Sequence, residues 1–283
     1  MAWRAITLVV VGALVLGACG EDDGTEEGTI VYAVGDAADG SAQATELAAY
    51  VKEQDLDRFF YLGDVYETGT AAEFERNYDP LYGDLAGRTD AVVGNHEYLN
   101  REHGYYPYWQ GKRGWTEKRA KHRSYIDSES GWQVIAYSSE TDPATEARWV
   151  ARQMEKQDGT CRIALAHRAR YSIADSEHTD TVDQERVWKV LAGKTAINLA
   201  AHSHVYGRLA PIDGINVIVS GQGGHDLREL GAQHHRVEAD AAGAPTVTRF
   251  MLQPGEAEVT QVGTDGKTYD SETITCARAD ETP

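Results

Sequence analysis

The chain alternates short apolar runs with amphipathic stretches. Thr29 to Val34 is apolar and ends in Gly35-Asp36. Thr45 to Gln54 has helical spacing, with Leu47 and Val51 on one face, and leads into a second strand, Arg58 to Leu62, that ends in Gly63-Asp64. A further helix is predicted over Ala71 to Tyr78, with Asp79-Pro80 as its stop, and Thr89 to Val93 is a third strand. That strand ends in Gly94-Asn95-His96-Glu97, an amide, an imidazole and a carboxylate presented together at a sheet edge. Gly104-Tyr105-Tyr106-Pro107-Tyr108-Trp109 is too rich in rings for a simple solvent loop; it is placed either as the wall of a pocket or as packing beneath a long loop.

Farther along, Arg123 to Asp127 and Trp132 to Tyr137 alternate like antiparallel strands, and Ala144 to Lys156 reads as a helix. Cys161 to Ala166 is an apolar strand ending in His167, a helix follows around Gln184 to Leu191, and Thr195 to Ala201 is a strand ending in His202-Ser203-His204. From Ile215 the pattern is β-rich, through Val217-Ile218-Val219, Thr246 to Leu252, Glu256 to Val262 and Thr273 to Thr275. Strands alternating with helices predict an α/β fold, a sheet with a parallel core and helices outside it.

The strand ends gather Asp36, Asp64, Asn95, His167, His202 and His204. Any one of them is explained as a hydrogen-bonded core group or a turn residue. Their recurrence at successive strand ends points instead to ligands, because carboxylate, amide and imidazole donors together suit two adjacent divalent or trivalent ions. In extended chain His202 and His204 would lie on one face and could fan out to neighbouring ions where the strand opens.

Charge narrows the partners. The 283 residues are 41% hydrophobic, enough for one large core, and carry a formal net charge of -18. A surface so acidic excludes a nucleic-acid or anionic-membrane face, since phosphate backbones are held by Lys and Arg. A site that handles phosphate here would take its positive charge from metal ions.

The first residues read as a targeting segment, with Arg4 in a positive n-region and Ile6 to Leu16 as an apolar run short for a bilayer span. Leu16-Gly17-Ala18-Cys19 resembles the bacterial lipoprotein signal, which implies a signal peptide over 1–18 and lipid attachment at Cys19; the plainer alternative is a secretory signal with an incidental cysteine. An acidic flexible tether over 19–28 would then lead into a single domain at 29–283, exported to the bacterial cell surface and touching the membrane only through its lipid. With Cys19 taken by lipid, Cys161 and Cys276 are expected to pair as a disulfide.

The motifs Gly35-Asp36, Gly63-Asp64, Gly94-Asn95-His96-Glu97, His167 with Arg170-Tyr171-Ser172, and Ala201-His202-Ser203-His204-Val205-Tyr206 together resemble the calcineurin-like metallophosphoesterases, in the branch related to purple acid phosphatases. The resemblance implies a four-layer α/β/β/α sandwich. It implies Asp64 bridging two metals, Asp36 and His204 on one ion, Asn95, His167 and His202 on the other, and His96 beside them as acid or charge stabiliser. Two departures stand out. Ala201 replaces the glycine usual before the His pair, and the tyrosine ligand expected three residues after the bridging Asp is displaced: Tyr66 comes two after it and Glu67 takes the third place. A tyrosine ligand favours ferric iron, paired with zinc, manganese or a second iron; without it manganese, zinc and ferrous iron stay open. Two close cations would acidify a shared water and clamp phosphoryl oxygens. The function implied is hydrolysis of phosphate esters, foremost monoesters, with a phosphodiesterase or an inactive surface binding protein as alternatives.

Overall fold

The computed structural model describes residues 28–157, 161–173, 181–228, 230, 236–241 and 243–276. The expected signal peptide, Cys19 and the tether up to residue 27 lie outside the described residues, as do 277–283.

Among the described residues the strands follow in chain order: β1 (Thr29–Val34), β2 (Arg58–Tyr61), β3 (Thr89–Ala91), β4 (Arg123–Ile126), β5 (Gln133–Ala136), β6 (Arg162–Leu165), β7 (Ile197–Ala200), β8 (Tyr206–Leu209), β9 (Asn216–Ser220), β10 (Val237–Asp240), β11 (Thr246–Gln253), β12 (Glu256–Gly263) and β13 (Thr268–Thr275). They build a six-stranded sheet in the order β13-β12-β11-β1-β2-β3 and a seven-stranded sheet in the order β10-β8-β9-β7-β6-β5-β4. Each sheet has a parallel part, β1-β2-β3 along one side of the first and β5-β6-β7-β9 in the middle of the second. Antiparallel strands extend the edges, with β11 and β12 beyond β1 and β8 and β4 beyond β9 and β5.

Alternation along the strands sorts the core into layers. Val31, Ala33, Phe60 and Leu62 of the first sheet meet Ile163, Leu165, Leu199 and Ile218 of the second between the sheets. Their neighbours point outward. Tyr32, Val34, Phe59 and Tyr61 pack with Leu47 and Val51 of the helix Ala42–Glu53, and Ala164, Ala200, Val217 and Val219 pack with Val150 of Pro143–Met154 and Trp188 of Glu185–Leu191. This is the expected α/β/β/α sandwich. Strands buried on both faces cannot alternate apolar with polar, which is why they read as continuous apolar runs.

One local expectation is corrected, one open alternative is narrowed and two strands are added. Asp79-Pro80 does not stop a helix: the π-helical stretch Phe74–Tyr78 passes directly into Asp79–Tyr82, where proline occupies the first turn and its missing N–H leaves no bond unmade. The aromatic stretch is a helix, Tyr105–Gln110, with Tyr105, Tyr106 and Trp109 buried against Tyr78 and Phe74, so its rings are core and not a pocket wall. Strands β8 and β10 gave no apolar run: Tyr206-Gly207-Arg208-Leu209 is held through the buried pairing of Arg208 and Tyr206 with Asp270.

Cys161 and Cys276 are bonded, with Cα atoms 5.6 Å apart. The bond ties the entry of β6 to the exit of β13 and therefore joins the two sheets.

Candidate metal centre

The C-terminal ends of the parallel strands of both sheets meet at one edge. The N–H of Gly35 donates to the carbonyl of Ser220 (2.9 Å), and the N–H of His202 donates to Oδ2 of Asp36 (2.9 Å), so backbone from each sheet is fastened to the other. Asp36, Asp64, His202 and His204 have φ of 56°, 66°, 69° and 52°. Left-handed backbone turns each chain sharply as it leaves its strand, at a cost of roughly 1–3 kcal/mol per residue that the surrounding structure must offset. The expected extended His202-x-His204 is thus replaced by two turns. Ala201 is accommodated by its neighbour: a Cβ on Gly35 would stand 2.4 Å from the Ala201 methyl. Gly94 is required too, since a Cβ there would lie 2.1 Å from Oδ1 of Asp64.

Two groups of donors share Asp64. In the first, the Tyr66 hydroxyl donates to Oδ1 of Asp36 (2.8 Å) and lies 3.3 Å from Oδ2 of Asp64 and 3.1 Å from Nε2 of His204. In the second, Nε2 of His167 lies 3.3 Å from Oδ2 of Asp64 and 3.0 Å from Oδ1 of Asn95. One ligand atom from each of Asp64, His167 and His202 falls within 4.8 Å of the others, a grouping that could hold an ion.

The structure places Tyr66 and Glu67 differently. Val65 bridges Ala38, Tyr66 N–H donates to the Ala38 carbonyl (3.0 Å) and Asn77 Nδ2 donates to the Tyr66 carbonyl (2.7 Å), which turns the Tyr66 ring back over the cluster. Glu67 is exposed, and its N–H donates to Glu73.

Two histidines have their tautomer set by carbonyls, which only accept. Nδ1 of His167 donates to Leu62 (2.7 Å), leaving Nε2 toward Asp64. Nδ1 of His96 donates to Glu67 (2.6 Å), and its Nε2 stands 3.9 Å from Oδ2 of Asp64. His96 keeps its imidazole at the rim while its backbone N–H donates to Oδ1 of Asp64 (3.0 Å). Glu97 is fully buried, and its carboxylate accepts from the N–H groups of Gly94 (2.7 Å), Asp64 (3.1 Å) and Val65 (3.1 Å), tying the turn after β2 to the turn after β3.

Electrostatically the cluster is short of positive charge. Burial, aided by the Asp64 charge, pushes Asp36 up to about 7 and Glu97 up to about 8. Burial works against a charged His167, yet attraction to Asp64 raises it to about 10. Asp64 is held low, its own burial outweighed by His167 and His96. Burial and the neighbouring Asp36 and Asp64 charges raise the Tyr66 phenol well above its usual range. Buried carboxyl and phenol groups that resist ionisation alone are ionised readily beside a cation, so the donors fit two metal ions.

Two residues at the site were missed in the sequence. His225 stacks on Tyr66 with ring centroids 3.6 Å apart, and its Nδ1 pairs with Oδ2 of Asp39 (3.1 Å). A signal existed: Val217-Ile218-Val219 runs into Gly221-Gln222-Gly223-Gly224-His225, the same apolar-then-glycine-then-ligand design. Arg168 places Nη1 2.6 Å from Nε2 of His202.

Buried carboxylates, imidazoles, an amide and a phenol at the ends of parallel strands in an α/β/β/α sandwich define a metal-dependent phosphoric ester hydrolase. Residues 29–206 match the family of calcineurin-like phosphoesterases, and the chain belongs to it. No curated protein matches the sequence. Among solved structures the fold is similar to the purple acid phosphatase PPD1 from yellow lupin (Lupinus luteus) seeds, at 17% identity and a TM-score of 0.73, over 90% of this chain and 56% of that one. It is similar to GAP50, the anchor in the inner membrane complex of Plasmodium (12% identity, TM-score 0.71, 88% and 89% of the two chains). A dimetal phosphatase from Danio rerio matches at 13% identity and a TM-score of 0.62, over 89% of this chain and all of that one. This chain spans little over half the length of the lupin protein.

Proposed function

We propose that this protein is a dimetal phosphomonoesterase displayed on the cell surface. The observation that carries the reading is the Asp64 carboxylate, shared between a Tyr66, Asp36 and His204 group and an Asn95, His167 and His202 group. On this reading Asp64 serves both ions and each group completes one. Two ions bound there would supply an acidified water and neutralise phosphoryl charge during in-line attack. The chain's own part is to hold the donors rigid through Glu97 and the Leu62 carbonyl, and to move one proton. His96 is assigned that role: its Nδ1 is engaged by the Glu67 carbonyl and its Nε2 stands 3.9 Å from Oδ2 of Asp64, beside the place where a leaving alkoxide would emerge.

Elemental analysis together with assays of the metal-loaded soluble fragment on simple phosphate mono- and diesters tests this. Two ions per chain and faster monoester turnover are expected. A single tightly held zinc at every pH, or turnover of neither ester, would defeat it. The second outcome would favour another reading, a binding protein without turnover, for which the likeness of fold to a Plasmodium anchor is the supporting observation.

The surface location rests on Leu16-Gly17-Ala18-Cys19. Cys19→Ala should abolish lipidation and leave the precursor uncut or cut elsewhere. An unmodified wild-type N-terminus in mass analysis would refute the anchor.

A further inference from the structure

Arg168 directly follows the candidate ligand His167, and the established motifs of the site do not use it. Its backbone N–H donates to the Ser139 hydroxyl (3.0 Å), and its Nε donates to Oε1 of Glu140 (2.9 Å). The Ser139 hydroxyl donates to the same Glu140 oxygen (3.0 Å), and the Ser139 carbonyl accepts from Gln184 (2.9 Å). The loop after β5 therefore grips the arginine at both its backbone and its Nε. What is left facing the metal centre is Nη1, 2.6 Å from Nε2 of His202.

That placement poses a physical question. A guanidinium is charged at every pH the protein meets and only donates, so Nε2 of His202 accepts from Nη1 and Nδ1 is the nitrogen left to face an ion. An ion on Nδ1 would stand one imidazole ring away from the guanidinium, and an anion bound beside both would relieve their repulsion. Glu140 compensates the guanidinium from behind, on the side away from His202. Among the described residues the carboxylate that pairs with it is Glu140, and a phosphoryl oxygen seated against the second ion would compensate it in front. A planar fork matches two phosphoryl oxygens in a way that an ammonium does not.

We propose that Arg168, fixed by Glu140, is a substrate-binding residue that donates through Nη1 to the phosphoryl group and favours the dianion of a phosphate monoester over the monoanion of a diester. The proposal rests on the phosphoesterase reading of the site, and deepens it by giving the preference for monoesters a residue.

The test uses metal-loaded protein with inorganic phosphate as the probe, measured by isothermal titration, beside monoester and diester kinetics and elemental analysis. Arg168→Gln should weaken phosphate binding roughly ten- to hundred-fold, the effect of losing a hydrogen bond to a charged group. It should raise KM for a monoester more than for a diester and leave two ions per chain. Arg168→Lys, which keeps the charge and loses the fork, should fall between, and Glu140→Gln should weaken phosphate binding less than Arg168→Gln. Should Arg168→Gln fail to fold, Arg168→Lys and Glu140→Gln decide the matter. Unchanged phosphate affinity in the variants overturns the proposal, and so does loss of the second ion, which would make Arg168 a prop for His202. Failure of the parent reading is distinguishable: wild-type protein would then turn over no ester, while phosphate binding would still report on Arg168.

Discussion

The ring of Tyr66 lies flat against the imidazole of His225, with centroids 3.6 Å apart and planes 18° from parallel, and Asp39 holds that imidazole by its Nδ1 at 3.1 Å. The stack fixes the phenol whose hydroxyl reaches Asp36, Asp64 and His204. Loading with ferric iron should therefore produce a phenolate-to-iron absorption in the visible that Tyr66→Phe abolishes. His225→Ala should weaken or shift that band, because the ring loses its support, while His225→Phe preserves more of it. An identical band in wild type and Tyr66→Phe would remove Tyr66 from the ligand set.

His96→Ala is expected to keep both ions and lose turnover by roughly a hundred-fold, the usual contribution of a placed proton donor. Its Nε2 stands 3.9 Å from Oδ2 of Asp64, at the rim of the cluster. Loss of metal in that variant would move His96 into the ligand set.

Glu97 accepts three backbone N–H groups in a fully buried setting. Removing the carboxylate in Glu97→Ala leaves those donors unmade, at about 1–3 kcal/mol for each one left unsatisfied. The variant should lower the denaturant midpoint sharply and loosen metal binding by releasing the Asp64 turn. A midpoint near that of wild type would show that water serves the turn equally well.

Metal removal exposes the charge shortage. In the chelated protein Asp36 and Glu97 hold protons up to about 7 and 8, against ordinary values of 3.8 and 4.5, and His167 holds one up to about 10 against 6.5. The folded state then binds more protons than the unfolded chain from about pH 4 to 10, so its stability falls as pH rises through that window. Tm measured in chelator should drop between pH 5 and pH 9, and added manganese should flatten the dependence by replacing the protons. A Tm that climbs with pH in chelator would contradict the charge assignment.

Cys276→Ser should lower stability by up to about 4–5 kcal/mol, the chain-entropy figure for so long a loop. The bond joins the entry of β6 and the exit of β13, whereas His167 sits past the other end of β6, so metal content of the folded fraction should be unchanged. Two free thiols in the denatured, unreduced protein would exclude the bond.

The apolar runs of β1, β2, β6 and β7 and the polar residue ending each were legible in the sequence because strands buried on both faces carry no other pattern. Glycine followed by aspartate, or alanine by histidine, marked the positions at which the chain leaves the sheet. Those local signals determined the α/β class and six of the ligand candidates, Asp36, Asp64, Asn95, His167, His202 and His204. Elements whose stability comes from distant partners were silent: β8 depends on Asp270 of β13, and the helix Tyr105–Gln110 on rings brought from Phe74 and Tyr78. The spacing after Asp64 left Tyr66 and Glu67 open, and what brings the Tyr66 hydroxyl to the cluster is Ala38 and Asn77, which hold the Tyr66 backbone. Likewise no spacing joins Arg168 to His202 or His225 to Tyr66, because contacts between residues far apart in sequence exist only once the sheets have formed and packed face to face. The sequence by itself determined which donors stand at the strand ends; the tertiary structure decided which of them meet, because left-handed turns and cross-sheet hydrogen bonds set the direction of each side chain.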